Sequence, residues 1–366
     1  MPGALCRFAS LALAGLALLA GCASEPSRTR AASRPEEVRA LIASLLPASV
    51  ADRPGWAVDI YAAFSALGIE PSNARICAVL AVTEQESTYR ADPAVPRLGR
   101  IAREEIDRRA DRAGIPAVVV QAALQLRSPD SRTYSERIDA AKTEKELSDV
   151  FEDFIASVPL GQRFLAGFNP VRTGGPMQVS IEFAEKQVQA KPYPYRMAGS
   201  LRDEVFTRRG GLYFGIAHLL DYPARYDQAL YRFADFNAGR YASRNAAFQQ
   251  AIGIASRRPL ELDGDLLRGD GSVGQTEAAL RALGERLDMG EGAIRRALEL
   301  ESRPDLEQTR LYARVFELAE QGRRTLPRAL VPRIQLHSPK ITRPLTTEWF
   351  ARRVDERYQR CLARAG

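Results

Sequence analysis

Histidine is nearly absent from this 366-residue chain, which offers only His218 and His337. A zinc enzyme usually draws two or three ligands from histidine, so that class is disfavoured and no metal or other cofactor is expected. Period-2 alternation is also scarce, which predicts little sheet. Beyond the first twenty residues no run is long and apolar enough for a transmembrane helix. Internal repeats are absent. What is there is an ordinary globular balance, 45% hydrophobic and 27% charged residues, enough apolar material to exclude disorder for most of the chain. The length allows two or three domains. A net charge of +7 favours an acidic partner: nucleic acid, an anionic membrane surface or an anionic wall polymer.

The N-terminus reads as an export signal. Arg7 gives a positive start, Phe8 to Ala20 is apolar, and small residues follow. Such a run suits the core of a cleaved signal. Leu19-Ala20-Gly21-Cys22 resembles the bacterial lipobox. That resemblance implies cleavage before Cys22, lipidation of its thiol, and anchoring by several acyl chains, where one chain is marginal. Ala23 after the cysteine implies the outer membrane, with the body facing the periplasm. An ordinary cleaved signal with an incidental Cys22 is the plain alternative. Cleavage removes Cys6, and with Cys22 lipidated only Cys77 and Cys361 remain. They either pair in an oxidising periplasm or stay as buried free thiols. Sequence leaves both open.

Residues 22–35 have a tether's composition. Helical patterns then cover Glu36 to Leu46 and Ala57 to Leu67, the second closed by Gly68. Another helix opens near Asn73 with Ser72 or Asn73 as cap. Charged helical patterns fill about 99–157, and a helix is expected from about Pro223 to Gly239. A composition shift places a boundary near Ser256. Asp263-Gly264-Asp265 and Asp270-Gly271 fail the calcium-loop spacing and read as turns. Glu291 to Leu300 and Leu306 to Gly322 read as amphipathic helices, and Trp349 to Leu362 as a basic helix that packs on the core or touches a wall polymer.

The helix opening near Asn73 carries the chemistry. At about 100° per residue, Ile76, Val79, Leu80 and Thr83 share a stripe, and Glu86 projects near it. Glu84 lies further round and Gln85 points away. A carboxyl on an apolar face loses hydration, so its pKa rises, as a general acid requires. The bland alternative is a solvated glutamate at a helix end.

Gln85-Glu86-Ser87 with Asp92-Pro93 resembles the first motif of the family 1 lytic transglycosylases, lysozyme-like enzymes that cut peptidoglycan. Gly175-Pro176-Met177-Gln178-Val179, Gly210-Gly211-Leu212-Tyr213-Phe214 and Phe236-Asn237-Ala238-Gly239 are similar to the three later motifs, in order. Together they touch less than a third of the chain. The resemblance implies a mainly α, lysozyme-like helical domain over 36–256, with a long helical insertion at about 96–170 and a helical C-terminal extension over 257–366. It implies Glu86 as general acid and then base, the substrate's own C6 hydroxyl as the attacking group, and a 1,6-anhydro product. No second carboxylate is then needed, unlike glycosidases with paired carboxylates.

The substrate side would be held by Ser87, Gly175, Met177, Gln178, Tyr213, Asn237, Ala238 and Gly239. Gly175 lets backbone approach a ligand, Met177 offers a polarizable face, and Gln178 a donor and an acceptor. Each has a structural alternative. Ser87 suits a helix end, Met177 and Tyr213 suit a core, and Gly239 suits a helix cap. Tyr193 and Tyr195 are candidate sugar-stacking residues, and His218 reads as a packing residue. The chain departs from the motifs in its long link before Gly175, in Phe236 for tyrosine and in Pro176 for leucine. The whole chain also resembles an uncharacterised family of bacterial lipoproteins with a domain of unknown function. The expected activity is cleavage of glycan strands between MurNAc and GlcNAc. The alternatives are a non-catalytic glycan-binding or scaffolding lipoprotein and, more remotely, a hydrolase on the same fold. Nucleic acid is disfavoured by the export signal.

Overall fold

A computed structural model of the chain describes residues 34–158, 163, 168–322, 324–336 and 343–366. The expectations placed on 1–33 (the signal, lipidation at Cys22 and most of the tether) lie outside the described residues, as does His337.

Local signals start the first helices. Pro35 opens α1 (Pro35–Leu45), where its missing N–H costs nothing. The Asp52 carboxylate accepts from the Gly55 amide to cap α2 (Arg53–Leu67), which Gly68 ends at φ 68°. Ser72 caps α3 (Asn73–Ser87) by accepting from the Arg75 amide. The predicted stripe is buried: Ile76, Val79 and Thr83 are fully enclosed and Leu80 nearly so. Each large apolar side chain so buried contributes about 1.5–3 kcal/mol.

The long link is helical, as expected. It forms α4 (Leu98–Arg112), α5 (Ala117–Leu124), α6 (Tyr134–Ala140) and α7 (Glu144–Ser157). Capping boxes open α6, from Thr133 and Glu136, and α7, from Thr143 and Glu146. A two-residue antiparallel hairpin follows, β1 (Thr173–Gly174) and β2 (Val179–Ser180), with Thr173 opposite Ser180. Next come α8 (Ile181–Ala190), α9 (Leu201–Phe206), α10 (Arg208–Leu220) and α11 (Ala229–Ala238). The helix expected from Pro223 begins only at Ala229. Arg232 donates to the carbonyls of Tyr222 and Ala224, and the Tyr226 hydroxyl donates to Asp235 at 2.7 Å. Those bonds hold the preceding segment as a loop.

Then come α12 (Ala242–Ser256), α13 (Gln275–Ala282), α14 (Gly284–Leu287), α15 (Glu291–Leu298), a 3-10 turn (Pro304–Gln308) and α16 (Arg310–Glu320). The expected acidic turns are present. Asp263 accepts from the Asp265 amide and Asp270 from the Ser272 amide. A second hairpin, β3 (Gln335–Leu336) with β4 (Leu345–Thr346), leads into α17 (Thr347–Ala365).

The protein is mainly α-helical, with its apolar side chains in two clusters. The first joins α1–α3, parts of α4–α7, α8–α11 and α17. The second gathers α12 to α16, beginning with Phe248, Ala251 and Ile252. The change of core thus falls between α11 and α12, ahead of the composition shift at Ser256. Asp235 fastens that corner, accepting from the hydroxyls of Tyr222 and Tyr226 and the amides of Tyr241 and Ser243. Burial holds its carboxyl above the usual range against those hydrogen bonds. Arg244, 1% exposed, donates to the carbonyls of Glu301 and Arg303.

The chain finally returns to the first core. α17 packs antiparallel on α3 and also covers α11. Cys77 and Cys361 are joined in a disulfide, their Cα atoms 5.5 Å apart. Of the two readings open in the sequence, pairing is the one realised, and the basic helix packs on the core.

Candidate functional site

Glu86 occupies the last turn of α3 and is half-buried. Its neighbours set the helix end. Glu84 faces α17, 3.3 Å from Arg357 and 3.8 Å from Arg360. Thr88 and Tyr89 both take left-handed backbone, φ 52° and 57°, so the chain doubles back. The Tyr89 hydroxyl then donates to the Leu80 carbonyl at 3.0 Å, and its ring stands edge-on to Trp56, 5.8 Å away. Burial, with the Glu84 charge, holds that phenol well above its ordinary pKa. Arg208 lies over the other ring, 5.5 Å from the Trp56 centroid, and is paired with Asp52 and Asp59.

Ser87 does not face a cleft. It is buried, donates to the Thr83 carbonyl at 3.1 Å and accepts from the Arg90 amide at 3.3 Å. Its hydrogen bonds finish the helix, so the helix-end alternative describes it.

The glycine turn connects β1 to β2. Gly175 has φ +73°, and a Cβ there would stand 2.2 Å from the Val205 carbonyl oxygen, so only glycine fits. The close approach it permits is to α9 and α10. Pro176 rests against Gly211, where a Cβ would meet its ring at 2.4 Å, which is how proline is accommodated at this motif position. Met177 is fully buried, its thioether seated on Gly215. It fills the core and offers no face to a sugar. Gln178 is half-buried with φ 50°. Its amide donates to the Gly175 carbonyl and its oxygen accepts from Thr173, both at 3.3 Å.

Tyr213 is 1% exposed, with its ring 5.0 Å from Tyr193 and 5.2 Å from Phe214. It too belongs to the packing. Tyr193 lies flat on Phe214 at 5.1 Å and donates its hydroxyl to Glu204 at 2.7 Å. Glu204 is a buried carboxylate that reading the sequence missed. Burial pushes its pKa up, but hydrogen bonds from Arg209 and Tyr193 outweigh that and hold it below the usual range. It is a fixed anion rather than an acid. Tyr195 sits at the rim, between Tyr193 at 5.4 Å and the Arg209 guanidinium at 5.0 Å. No local pattern announces this cluster, because its members come from a loop and two helices.

Asn237 is exposed, and its side-chain oxygen accepts from the Thr347 hydroxyl at 2.9 Å, tying α11 to the start of α17. Ala238 is the last residue of α11, and Gly239 follows at φ 113°, a value that favours glycine and fits its capping alternative. Phe236 takes the motif's tyrosine position with its ring 5.1 Å from His218. His218 donates from Nε2 to the Phe236 carbonyl at 3.2 Å, while Nδ1 is buried with no hydrogen-bond partner among the described residues. Burial, with the nearby Arg240 charge, depresses its pKa to about 4. It is a neutral packing residue, as expected.

Gly175, Met177 and Tyr213 thus come together along α10. Phe236 meets that helix at His218, seven residues beyond Gly211, or about 10 Å at 1.5 Å per residue. Glu86 belongs to α3, which is held to α17 by Asn73 at Ala365, by the disulfide and by Glu84 at Arg357. The ends of α3 and α11 therefore both point toward the N-terminal half of α17. Arg357 and Thr347 are ten residues apart there, about 15 Å.

A family model described as a protein of unknown function (DUF1615) matches residues 49–364. The uncharacterized protein YaiW of Escherichia coli strain K12 is 52% identical over 356 residues, which cover 96% of this chain and 97% of that protein. No solved structure matches. The chain belongs to the DUF1615 family.

Proposed function

We propose that this DUF1615 protein is a lipid-tethered lytic transglycosylase of the outer membrane, facing the periplasm and cutting peptidoglycan strands between MurNAc and GlcNAc. The observation that carries the reading is Glu86: a half-buried carboxyl on the last turn of a helix whose neighbouring stripe is fully enclosed. In this reading Glu86 protonates the glycosidic oxygen and then draws the proton from the substrate's C6 hydroxyl, which closes the anhydro ring. Gln178 and Asn237 keep enough exposure to meet a sugar, and Gly175 shapes the turn that carries Gln178. The helical body is taken as lysozyme-like. A disulfide between Cys77 and Cys361 supports export to an oxidising compartment, where Cys22 would carry the lipid.

A second reading has its own support. Ser87, Met177 and Tyr213 are spent on helix capping and packing, which leaves few groups to grip a substrate. A non-catalytic lipoprotein that binds glycan strands accommodates that.

The test is digestion of purified sacculi by the mature protein, with mass analysis of released fragments. Anhydro-ended muropeptides are expected, and Glu86→Gln should slow release by roughly 100-fold or more, the scale of a lost general acid. Reducing ends would indicate a hydrolase. Sedimentation with sacculi and no release indicates the binder. Undiminished release by Glu86→Gln removes that residue from its role.

A further inference from the structure

Residues 113–126, which form the turn into α5, α5 itself and the residues just after it, hold no charged side chain. Residues three or four apart share a helix face, and this segment is apolar on two of them. On the inward face Leu124 is buried and Val120 half-buried. On the outward face Val118 is 74% exposed, Val119 53% and Leu126 53%, with Ile115 and Ala122 exposed beside them. These five fall at the spacing of a single helical stripe.

A helix that is apolar all round is normally buried. Apolar residues scattered singly over a surface mean little, but a continuous patch marks an interaction surface. This patch is continuous. Ile115 and Val119 also line a half-open apolar cavity of about 260 Å³ in the α4–α7 layer, together with Phe154 and the exposed Phe168.

Two features name the occupant. First, the stripe offers hydrocarbon and little else, the polar side chains of the segment being Gln121 and Gln125 on its flank. A protein partner is held by about one hydrogen bond per 100–200 Å², and the stripe itself has no side chain to make one. Hydrocarbon asks for none. Second, residues 23–33 lie between Cys22 and Arg34, where the described body starts. A chain of that length reaches at most about 40 Å fully extended, so a lipid on Cys22 keeps the body against a bilayer. This step rests on the anchoring proposed above. Arg108, Arg109 and Arg112 gather around Glu105 on the helix that leads to the stripe, and guanidinium groups suit lipid phosphates. Asp107 and Asp111 balance much of that charge, so apolar burial supplies the attraction.

We propose that the outward stripe of α5 lies in the surface of the bilayer that holds the anchor, with Val118, Val119 and Leu126 among the upper acyl chains. No helix among the described residues is long and apolar enough to cross a membrane, so the contact runs along the surface.

The mature protein is floated with vesicles of phosphatidylethanolamine and phosphatidylglycerol after labelling Val118→Cys with an environment-sensitive fluorophore. With Cys22 acylated and Cys77 bonded to Cys361, the new thiol is the one that reacts. Nitroxides placed high on the acyl chains, within the roughly 5–10 Å that an interfacial helix reaches, are expected to quench the label about twofold or more. The same label on Glu299→Cys, exposed on the second core, should not be quenched. Adding Val119→Asp should remove the quenching at position 118 while flotation and cooperative unfolding persist. A protein that does not float refutes the anchor, and this inference with it. A protein that floats with its label unquenched refutes this inference alone. A dimer in solution that Val119→Asp returns to monomer would give the stripe to a second copy and overturn the assignment.

Discussion

The motif-bearing helices and the α4–α7 layer solve opposite packing problems within one hydrophobic cluster. Around α10 the backbone is drawn in until Gly211 touches Pro176 and Gly215 touches Met177, so the residues most suggestive of a sugar site close a dense core. In α4–α7, which carries no motif, α5 leaves Val118 74% exposed, and the layer keeps a half-open apolar cavity and a buried Tyr134 hydroxyl with no hydrogen-bond partner among the described residues. Side-chain chemistry that looks functional in a sequence is often absorbed by packing.

The largest way to test this contrast is to cut the clamp on the dense side. Cys361→Ser removes a disulfide whose partners are 284 residues apart, and should lower stability by about 5–6 kcal/mol on the loop-entropy scale, read as a shift of the urea midpoint. Amide hydrogen-exchange protection in the α4–α7 layer should persist below that midpoint, and its loss together with the clamp would mean the two regions are one cooperative unit. Next comes Gly175→Ala, which must adopt positive φ and meets the Val205 carbonyl. A loss of about 3 kcal/mol is expected, and a change below about 1 kcal/mol would show that the turn relaxes and is not tightly packed. The smallest effect has the opposite sign. Tyr134→Phe removes an orphan hydroxyl and should raise the stability of the protein by about 1 kcal/mol. Destabilisation instead would reveal a hidden partner for the phenol.

What was legible in the sequence follows from periodicity. The stripe of Ile76, Val79, Leu80 and Thr83 and the Gly68 stop are local and appear as read, and of the two caps the sequence offers, Ser72 is the one used. The helices of the long link among the described residues follow from the same pattern. Side-chain identity was less informative at the candidate site. Methionine at 177 and tyrosine at 213 suit a sugar face or a core equally, and only Gly215 and the Tyr193–Phe214 stack decide where they go. The start of α11 was misplaced because Tyr226 and Arg232 spend their hydrogen bonds on a loop. The cysteine pair stayed open because it joins residues 284 apart in the chain, whereas Glu204 meets Arg209 and Tyr193 within eleven residues but partly across a loop that carries no periodicity.

The clamp between α3 and α17 also sets an order of events. The surface of α3 that receives Cys361 is made early, and its cover is made 284 residues later. A chain emerging from N- to C-terminus at about 5–20 residues per second must hold that apolar face uncovered for well over ten seconds. A product cut short before residue 361 never acquires the covalent link. The cross-link is therefore a mark that synthesis has passed residue 361, and a quality-control step that discards unbridged thiols would discard copies cut short before it.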